Sequence, residues 1–360
     1  MTVGIESKCN IERSEDVEVI GMEVLEGIMR VPDRSLKSVG YVCEATSEPP
    51  KTADDPVYGD PYATGFFVSL PCESPQLRDQ EMYYFVTAKH VATDLKDRHI
   101  FFLVNKKGGG TTHRVFANSE SWFIHPTDDN ADVAVIQVAL SPQLVDIGVI
   151  EVEQFARPDR MKKLNIGIGD EVHSIGLFSA VPGEESVTPI VRFGNVSMMG
   201  TEKIQTDLGF TEMYLIEARS IGGMSGSPVF VRPTFVFRVP AKDGSTELAF
   251  VAGKGDTLLG MAQGHWDIRE EEINKSSFTQ DRKRGVNYGI ALVVPAFKIY
   301  ETLYQPELKE MRKRLEESII KQQGTAPGSD SPKDGGNKTF TQADFEDALK
   351  RASRKMSGQK

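Results

Sequence analysis

Cysteine is scarce in this 360-residue chain, and the placement of Cys9, Cys43 and Cys72 excludes more than their number does. They are odd in count, far apart, and form no Cys-x-x-Cys pair. A disulfide scaffold is therefore not expected; free thiols, a reducing compartment and a cytoplasmic location are. There is no His-Glu-x-x-His and no EF-hand loop, so neither a metal site nor a cofactor is expected. No apolar run approaches the roughly 18 residues that cross a bilayer. The first 20 residues carry Glu6, Glu12, Glu15, Asp16 and Glu18 in place of the apolar stretch of a secretory signal, so no membrane attachment is expected. A formal net charge of −10 leaves no basic face for nucleic acid. The short run Arg282-Lys283-Arg284 reads as a solvated loop. Gly108–Gly110 lacks the lysine and serine of a phosphate-binding loop and reads as a turn.

What the chain has instead is strand texture. Runs rich in Val, Ile, Phe, Tyr and Thr alternate with Gly, Pro, Asp and Asn from about residue 55 to 300. They are Gly65–Leu70, Tyr83–Val91, Ile100–Val104, Asp132–Leu140, Val172–Leu177, Ile190–Met199, Met213–Glu217, Ser227–Val231, Leu248–Ala252, Leu258–Gly264 and Tyr288–Val294. Many short strands between turn signals mean an all-β barrel or sandwich. Eleven are too many for one small sandwich and fit two packed barrels. The expected organisation is an N-terminal extension over 1–52, a first barrel over 53–150, and a second over 151–305. At the end of the second, Phe297, Ile299, Tyr300 and Leu303 take helical spacing. A charged helix follows over 306–323, then a flexible linker over 324–338 with linker composition, and a short amphipathic helix over 339–360.

Gly222-Gly223-Met224-Ser225-Gly226-Ser227-Pro228 places a serine between glycines on a tight turn before a strand. An ordinary Gly/Ser turn has the same composition, so the segment alone does not decide. It does not fit the Gly-x-Ser-x-Gly elbow of α/β hydrolases, because Ser227 stands where the second glycine is needed. A serine nucleophile needs a base within hydrogen-bond reach. Of six histidines, His90 ends the run Tyr83–Val91, where a strand would deliver its imidazole to an edge. The third member is a carboxylate that fixes the imidazole tautomer. Asp132 opens the apolar strand Asp132-Val133-Ala134-Val135-Ile136, where a carboxylate is partly buried. Each of the three also has a structural reading: a turn serine, a core histidine, an aspartate before a strand.

In order along the chain, these segments resemble the trypsin-like serine peptidases of the chymotrypsin fold. The resemblance rests on Thr64-Gly65-Phe66-Phe67-Val68 with Val86-Thr87-Ala88-Lys89-His90-Val91, on residues 128–136, and on residues 222–229. It is supported by residues 169–178, 191–199, 258–264 and 287–303, and covers about 55–305. It is nearest the bacterial, high-temperature-requirement branch. It implies an all-β fold of two six-stranded antiparallel barrels with C-terminal helices and a cleft between them. It also implies a serine endopeptidase acting on protein or peptide, with His90 as base, Asp132 orienting it, and Ser225 as nucleophile. The backbone N–H groups of Gly223 and Ser225 would form the oxyanion hole. Arg219, Ser220 and Ile221, with Gln263, Gly264 and His265 on the facing strand, would line the substrate pocket. A silent binding module and an esterase using the same triad remain alternatives.

Two departures from the family matter. Met224 stands where zymogen-activated members carry an aspartate, so no activating ion pair is expected. About 55 residues follow the barrels, too few for a PDZ domain. The tail has its own pattern: Thr341 to Asp344 reads as a capping box, and Phe345, Leu349, Ala352 and Met356 form one apolar stripe. Docking of the 339–360 helix onto a protein partner or a second copy is the expectation.

Overall fold

The computed structural model describes residues 17–19, 30–45, 59–269 and 285–324, apart from 142, 182, 184–185, 201, 207, 219–222, 233–234, 241–245 and 254–255. At 17–19, 235–240, 246–253, 265–269, 285–288 and 322–324 only the backbone is described. The linker and the amphipathic helix expected over 324–360 lie outside the described residues from 325 onward, as does Cys9.

The first strand, β1 (Val17–Val19), pairs away from the N-terminal unit. After the short helix α1 (Asp33–Leu36), that unit is built from β2 (Val39–Glu44), β3 (Pro61–Pro71) and β4 (Glu81–Thr87), then helix α2 (Lys89–Asp94). It continues with β5 (His99–Asn105), β6 (Thr112–Asn118), β7 (Phe123–Ile124) and β8 (Ala134–Val138). Their order in the sheet is β6-β5-β2-β3-β4-β8-β7, and β9 (Ile150–Glu151) adds in parallel to β3. The sheet thus has eight strands where six were expected. One of the extra strands, β2, falls inside the stretch read as an extension to residue 52. Its sequence, Val-Gly-Tyr-Val-Cys-Glu, is buried at five of six positions between β5 and β3.

β3 shows why this sheet sits where it does. Eight consecutive residues, Ala63 to Leu70, are buried, so both of its faces are covered. One face contributes Phe67 to an aromatic cluster in which Phe85 stacks on Phe102 at 3.8 Å and meets Phe67 edge-on at 5.0 Å. Burying such a ring fully is worth roughly 1.5–3 kcal/mol. This cluster anchors β4, the strand that leads into α2.

Helix α3 (Pro158–Lys163) connects to the second unit. There β10 (Glu171–Gly176), β11 (Ile190–Met199), β14 (Tyr214–Glu217), β15 (Pro228–Arg232), β18 (Thr257–Arg269) and β19 (Gly285–Pro295) close into a six-stranded barrel. The order around it is β10-β11-β14-β19-β18-β15, every pair antiparallel. A hairpin of β12 (Ile204–Thr206) and β13 (Gly209–Thr211) projects between β11 and β14. β16 (Phe235–Pro240) and β17 (Thr246–Gly253) form a second hairpin, and β1 adds to it.

Two helices follow, α4 (Ala296–Leu303) and α5 (Pro306–Gly324). In α5, Leu308, Met311, Leu315 and Ile319 recur on one face and are buried in the large core cluster that joins residues of both units. The helix therefore docks onto the fold rather than standing free. Its buried charges are partnered except at Arg312 Nη2, which has no hydrogen-bond partner among the described residues. The Arg312 guanidinium lies over the Tyr84 and Tyr304 rings and donates to the Leu303 carbonyl, while the Glu316 carboxylate accepts the N–H groups of Glu73 and Ser74. No described helix is long and apolar enough to cross a membrane.

Candidate active site

His90 does not end a strand. β4 stops at Thr87, and His90 lies in the first turn of α2. The apolar run Tyr83–Val91 reads as one extended segment by composition, but its last residues turn into a helix of six. A first-turn N–H has no partner within its own helix, and here the His90 N–H donates to Asp132 Oδ1 at 2.9 Å. The other oxygen, Oδ2, lies 2.7 Å from His90 Nδ1. Asp132 is 0% exposed, and a buried carboxylate needs such partners. One carboxylate thus caps the helix and fixes the ring.

That contact sets the tautomer. A neutral imidazole carrying its proton on Nδ1 leaves Nε2 as an acceptor. Burial is the largest influence on His90 and opposes its protonation. The Asp132 hydrogen bond, the Asp132 charge and the Asp94 charge together outweigh it, so its pKa is raised above the usual 6.5.

Ser225 is carried by a turn pinned to the first unit. The Thr64 N–H donates to the Ser225 carbonyl at 3.0 Å, and Thr64 Oγ1 donates to the Gly223 carbonyl at 2.7 Å. The same hydroxyl accepts the Leu177 N–H at 2.8 Å, and the Thr64 carbonyl accepts from Thr87 Oγ1 at 2.8 Å. Thr64 therefore joins β3, the end of β4, the segment after β10 and the serine turn. Thr87 lies three residues before His90, which brings the turn to the start of α2. Gly223 and Gly226 have φ of 93° and 85°, a region that favours glycine. A side chain at Gly226 would run into the Thr64 carbonyl and Thr87 Oγ1.

The Ser225 hydroxyl donates to the Gln263 carbonyl at 3.0 Å. Among the described residues, no hydrogen bond joins it to His90. Such contacts commonly tighten only with substrate bound. Among the described residues, no backbone carbonyl accepts from the N–H groups of Gly223 and Ser225.

The pocket residues divide. Gln263 and Gly264 lie on β18 beside the serine turn, where the Gly226 N–H reaches the Ala262 carbonyl. The Gln263 Oε1 atom is buried without a partner among the described residues, and a side chain at Gly264 would meet open space. His265 is on the same strand, its backbone opposite Ala291. Arg219, Ser220 and Ile221 lie outside the described residues. The sequence assigns Thr64 no role; a hydroxyl residue flanked by buried strand positions is the one cue it offers.

No cysteine competes as nucleophile in the described residues. Burial pushes the Cys43 and Cys72 thiols up to about 12, and neither is paired. No group of three described His, Cys, Asp or Glu side chains is placed to hold a metal.

No protein-family model matches the sequence, and no curated protein does. Among solved structures, the chain is similar to the MamO protease domain of Magnetospirillum magneticum, at 15% identity over 61% of this chain and 94% of that one, with a TM-score of 0.35. It is also similar to the Rv3671c protease in an inactive form, at 16% identity over 78% and 93%, with a TM-score of 0.37. A variant of Rv3671c from M. tuberculosis, also inactive, gives 13% identity over 87% and 100%, with a TM-score of 0.36. The two-unit β architecture rests on the strand pairing itself and does not lean on likenesses this distant.

Proposed function

We propose that the chain is a serine endopeptidase that cleaves peptide bonds through an acyl-enzyme intermediate. The observation that carries this reading is the double hold of Asp132 on His90, close to a serine turn clamped by Thr64. Ser225 Oγ attacks the scissile carbonyl carbon as its proton passes to His90 Nε2. Asp132 stabilises the imidazolium that forms. The oxyanion is received by the N–H groups of Gly223 and Ser225, a donor pair of which each member is typically worth about 2.7–4 kcal/mol. His90 then returns the proton to the leaving amine as the C–N bond breaks. A water attacks the acyl ester by the same route in reverse.

Peptide-library profiling of the full chain, with Ser225→Ala as the blank and a nitrophenyl ester run in parallel, tests the reading. Cleavage of peptides by the wild type alone is expected. Turnover of the ester alone would make the site an esterase. Absence of both in folded protein would leave a silent binding module and overturn the proposal.

A further inference from the structure

The loop that carries Asp132 is held from outside its own sheet. Asp128, four residues earlier, organises it: its carbonyl accepts the Ala131 N–H at 3.0 Å and its Oδ1 accepts the Asn130 N–H at 3.2 Å. Where Asp128 sits therefore fixes where Asp132 sits. Asp128 Oδ2 lies 3.0 Å from Lys298 Nζ, on α4, and accepts from Thr211 Oγ1 at 3.0 Å, at the end of β13. Lys298 Nζ also lies 3.0 Å from Glu212 Oε2, in the turn that leads into β14. The Lys298 and Asp128 side chains are 8% and 11% exposed, so their contact is nearly closed to water, while Glu212 reaches the ammonium from a more open position.

We propose that Lys298 is a positioning residue for the His90–Asp132 pair, acting through Asp128 to lock the acid loop of the first unit against the second. The proposal rests on the peptidase reading of the site. Lys298 touches no reacting atom. Its role follows from charge: one ammonium lies between two carboxylates contributed by different units. Without it, the nearly buried Asp128 carboxylate would lose its cation and face Glu212 as a like charge, and the cheapest relief is for the loop to withdraw. Both shifts agree with a cluster held in its charged form. Burial opposes the Lys298 charge, but the Asp128 and Glu212 contacts raise its pKa above the usual lysine value. Burial likewise opposes the Asp128 charge, yet the Lys298 and Thr211 contacts and the Asn130 N–H lower its pKa.

The remaining loop contacts show which atoms are left to resist. His125 Nδ1 accepts the N–H groups of Thr127 and Asp128, and its Nε2 faces Glu301 Oε2 on α4 at 2.8 Å. Lys89 Nζ donates to the Asp129 carbonyl at 2.7 Å, and Asn130 Nδ2 to the Phe210 carbonyl at 3.1 Å. Among the described contacts of this loop, the Asp128 carboxylate is the one group that meets both α4 and the β12–β13 hairpin, so it is the point where a lost cation propagates to Asp132.

The test compares Lys298→Met, Lys298→Arg and Asp128→Asn in the full chain, with two readouts. In peptide turnover, Lys298→Met should lower kcat by about 10- to 100-fold with KM nearly unchanged, because the loss is one of geometry at the base. Lys298→Arg should recover most of it. By NMR, the His90 imidazole of Lys298→Met should titrate lower than in the wild type, as its contact with Asp132 loosens. Unchanged kcat and unchanged His90 titration in a cooperatively melting Lys298→Met protein would overturn the proposal. Should Lys298→Met not fold, Asp128→Asn must show the same two changes, and its failure to do so also overturns it. The titration requires no turnover. A wild type that cleaves nothing therefore defeats the peptidase reading while the positioning claim is still tested.

Discussion

Asp132 holds His90 at two points, its Oδ2 at 2.7 Å from the ring Nδ1 and its Oδ1 at 2.9 Å from the backbone N–H. Ring orientation and the start of α2 are thus set by one buried carboxylate. Asp132→Asn keeps the size and loses the acceptor that fixes the tautomer. A loss of about ten thousand-fold in kcat is expected, the scale seen when such a carboxylate becomes an amide. Steady-state kinetics beside a thermal melt checks it: a folded variant within tenfold of the wild type would contradict the assigned role.

The raised pKa of His90 fixes the sign of the pH dependence. On the proposed reading His90 works deprotonated as the general base, so its raised pKa keeps the imidazole protonated, and hydrolysis suppressed, to a higher pH. The acid limb of kcat/KM, which reports the free enzyme, should have its midpoint above 6.5. In Asp132→Asn, whatever activity remains should have its midpoint shifted down, since burial then acts without the carboxylate. A wild-type midpoint below 6 would be inconsistent with this geometry.

Thr64 supplies a hydroxyl that donates to the Gly223 carbonyl and accepts from Leu177. Thr64→Val keeps the shape and leaves both groups without their partner, at a cost of about 1–3 kcal/mol for each buried polar group. Reduced Tm, lower kcat and weaker binding of a peptide boronate, which mimics the tetrahedral intermediate, are expected together. Thr64→Ser should restore all three. Equal boronate affinity in Thr64→Val and the wild type would show that the hydroxyl does not shape the serine turn.

Asp256 makes a stability prediction away from the site. Its Oδ2 accepts from Ser35 Oγ at 2.6 Å and stands 3.4 Å from His173 Nε2, too far for a well-made hydrogen bond; Arg232 Nε is 3.9 Å from its Oδ1. Burial pushes its pKa up, but the His173 and Ser35 contacts and the His173 and Arg232 charges outweigh this and lower it. A folded pKa below the unfolded one contributes stability above the ordinary carboxylate range, lost as pH falls through the folded value. Asp256→Asn should therefore lose about 3 kcal/mol at pH 7 and depend less on pH in the acid range. Parallel melts of the two proteins from pH 7 to 3 would show it; curves that stay the same distance apart would not fit.

Met224 is buried against Ser227, whose hydroxyl points to its sulfur, and no carboxylate occupies its place. The purified full chain should hydrolyse peptides without N-terminal trimming. Activity that emerges only after limited proteolysis would show a switch elsewhere in the chain.

Much of this was legible in the sequence, and the misses have physical causes. Each of the eleven strand runs contains or overlaps a strand, because Val, Ile, Phe and Tyr clusters between Gly and Pro mark half-buried strands well. The sequence reads His90 as strand, because a six-residue helix is too short to show a 3.6-residue period against the apolar run before it. β2 is not legible because Val39–Glu44 lies in a mixed segment, and its pairing with β3 and β5 makes it a strand. Residues 90, 132 and 225 stand in motifs readable at short range. Thr64, Lys298 and Glu212 act on atoms far along the chain, Lys298 meeting Asp128 across 170 positions, and no local pattern announces such a pairing.

Covalent labelling tests the central claim most directly. The full chain is treated with a fluorophosphonate probe and the adduct is mapped by mass spectrometry. A single adduct on Ser225 is expected, absent in Ser225→Ala and strongly slowed in His90→Ala. A folded protein that takes up no label at Ser225, or labels it equally fast without His90, would contradict a serine activated by the His90–Asp132 pair.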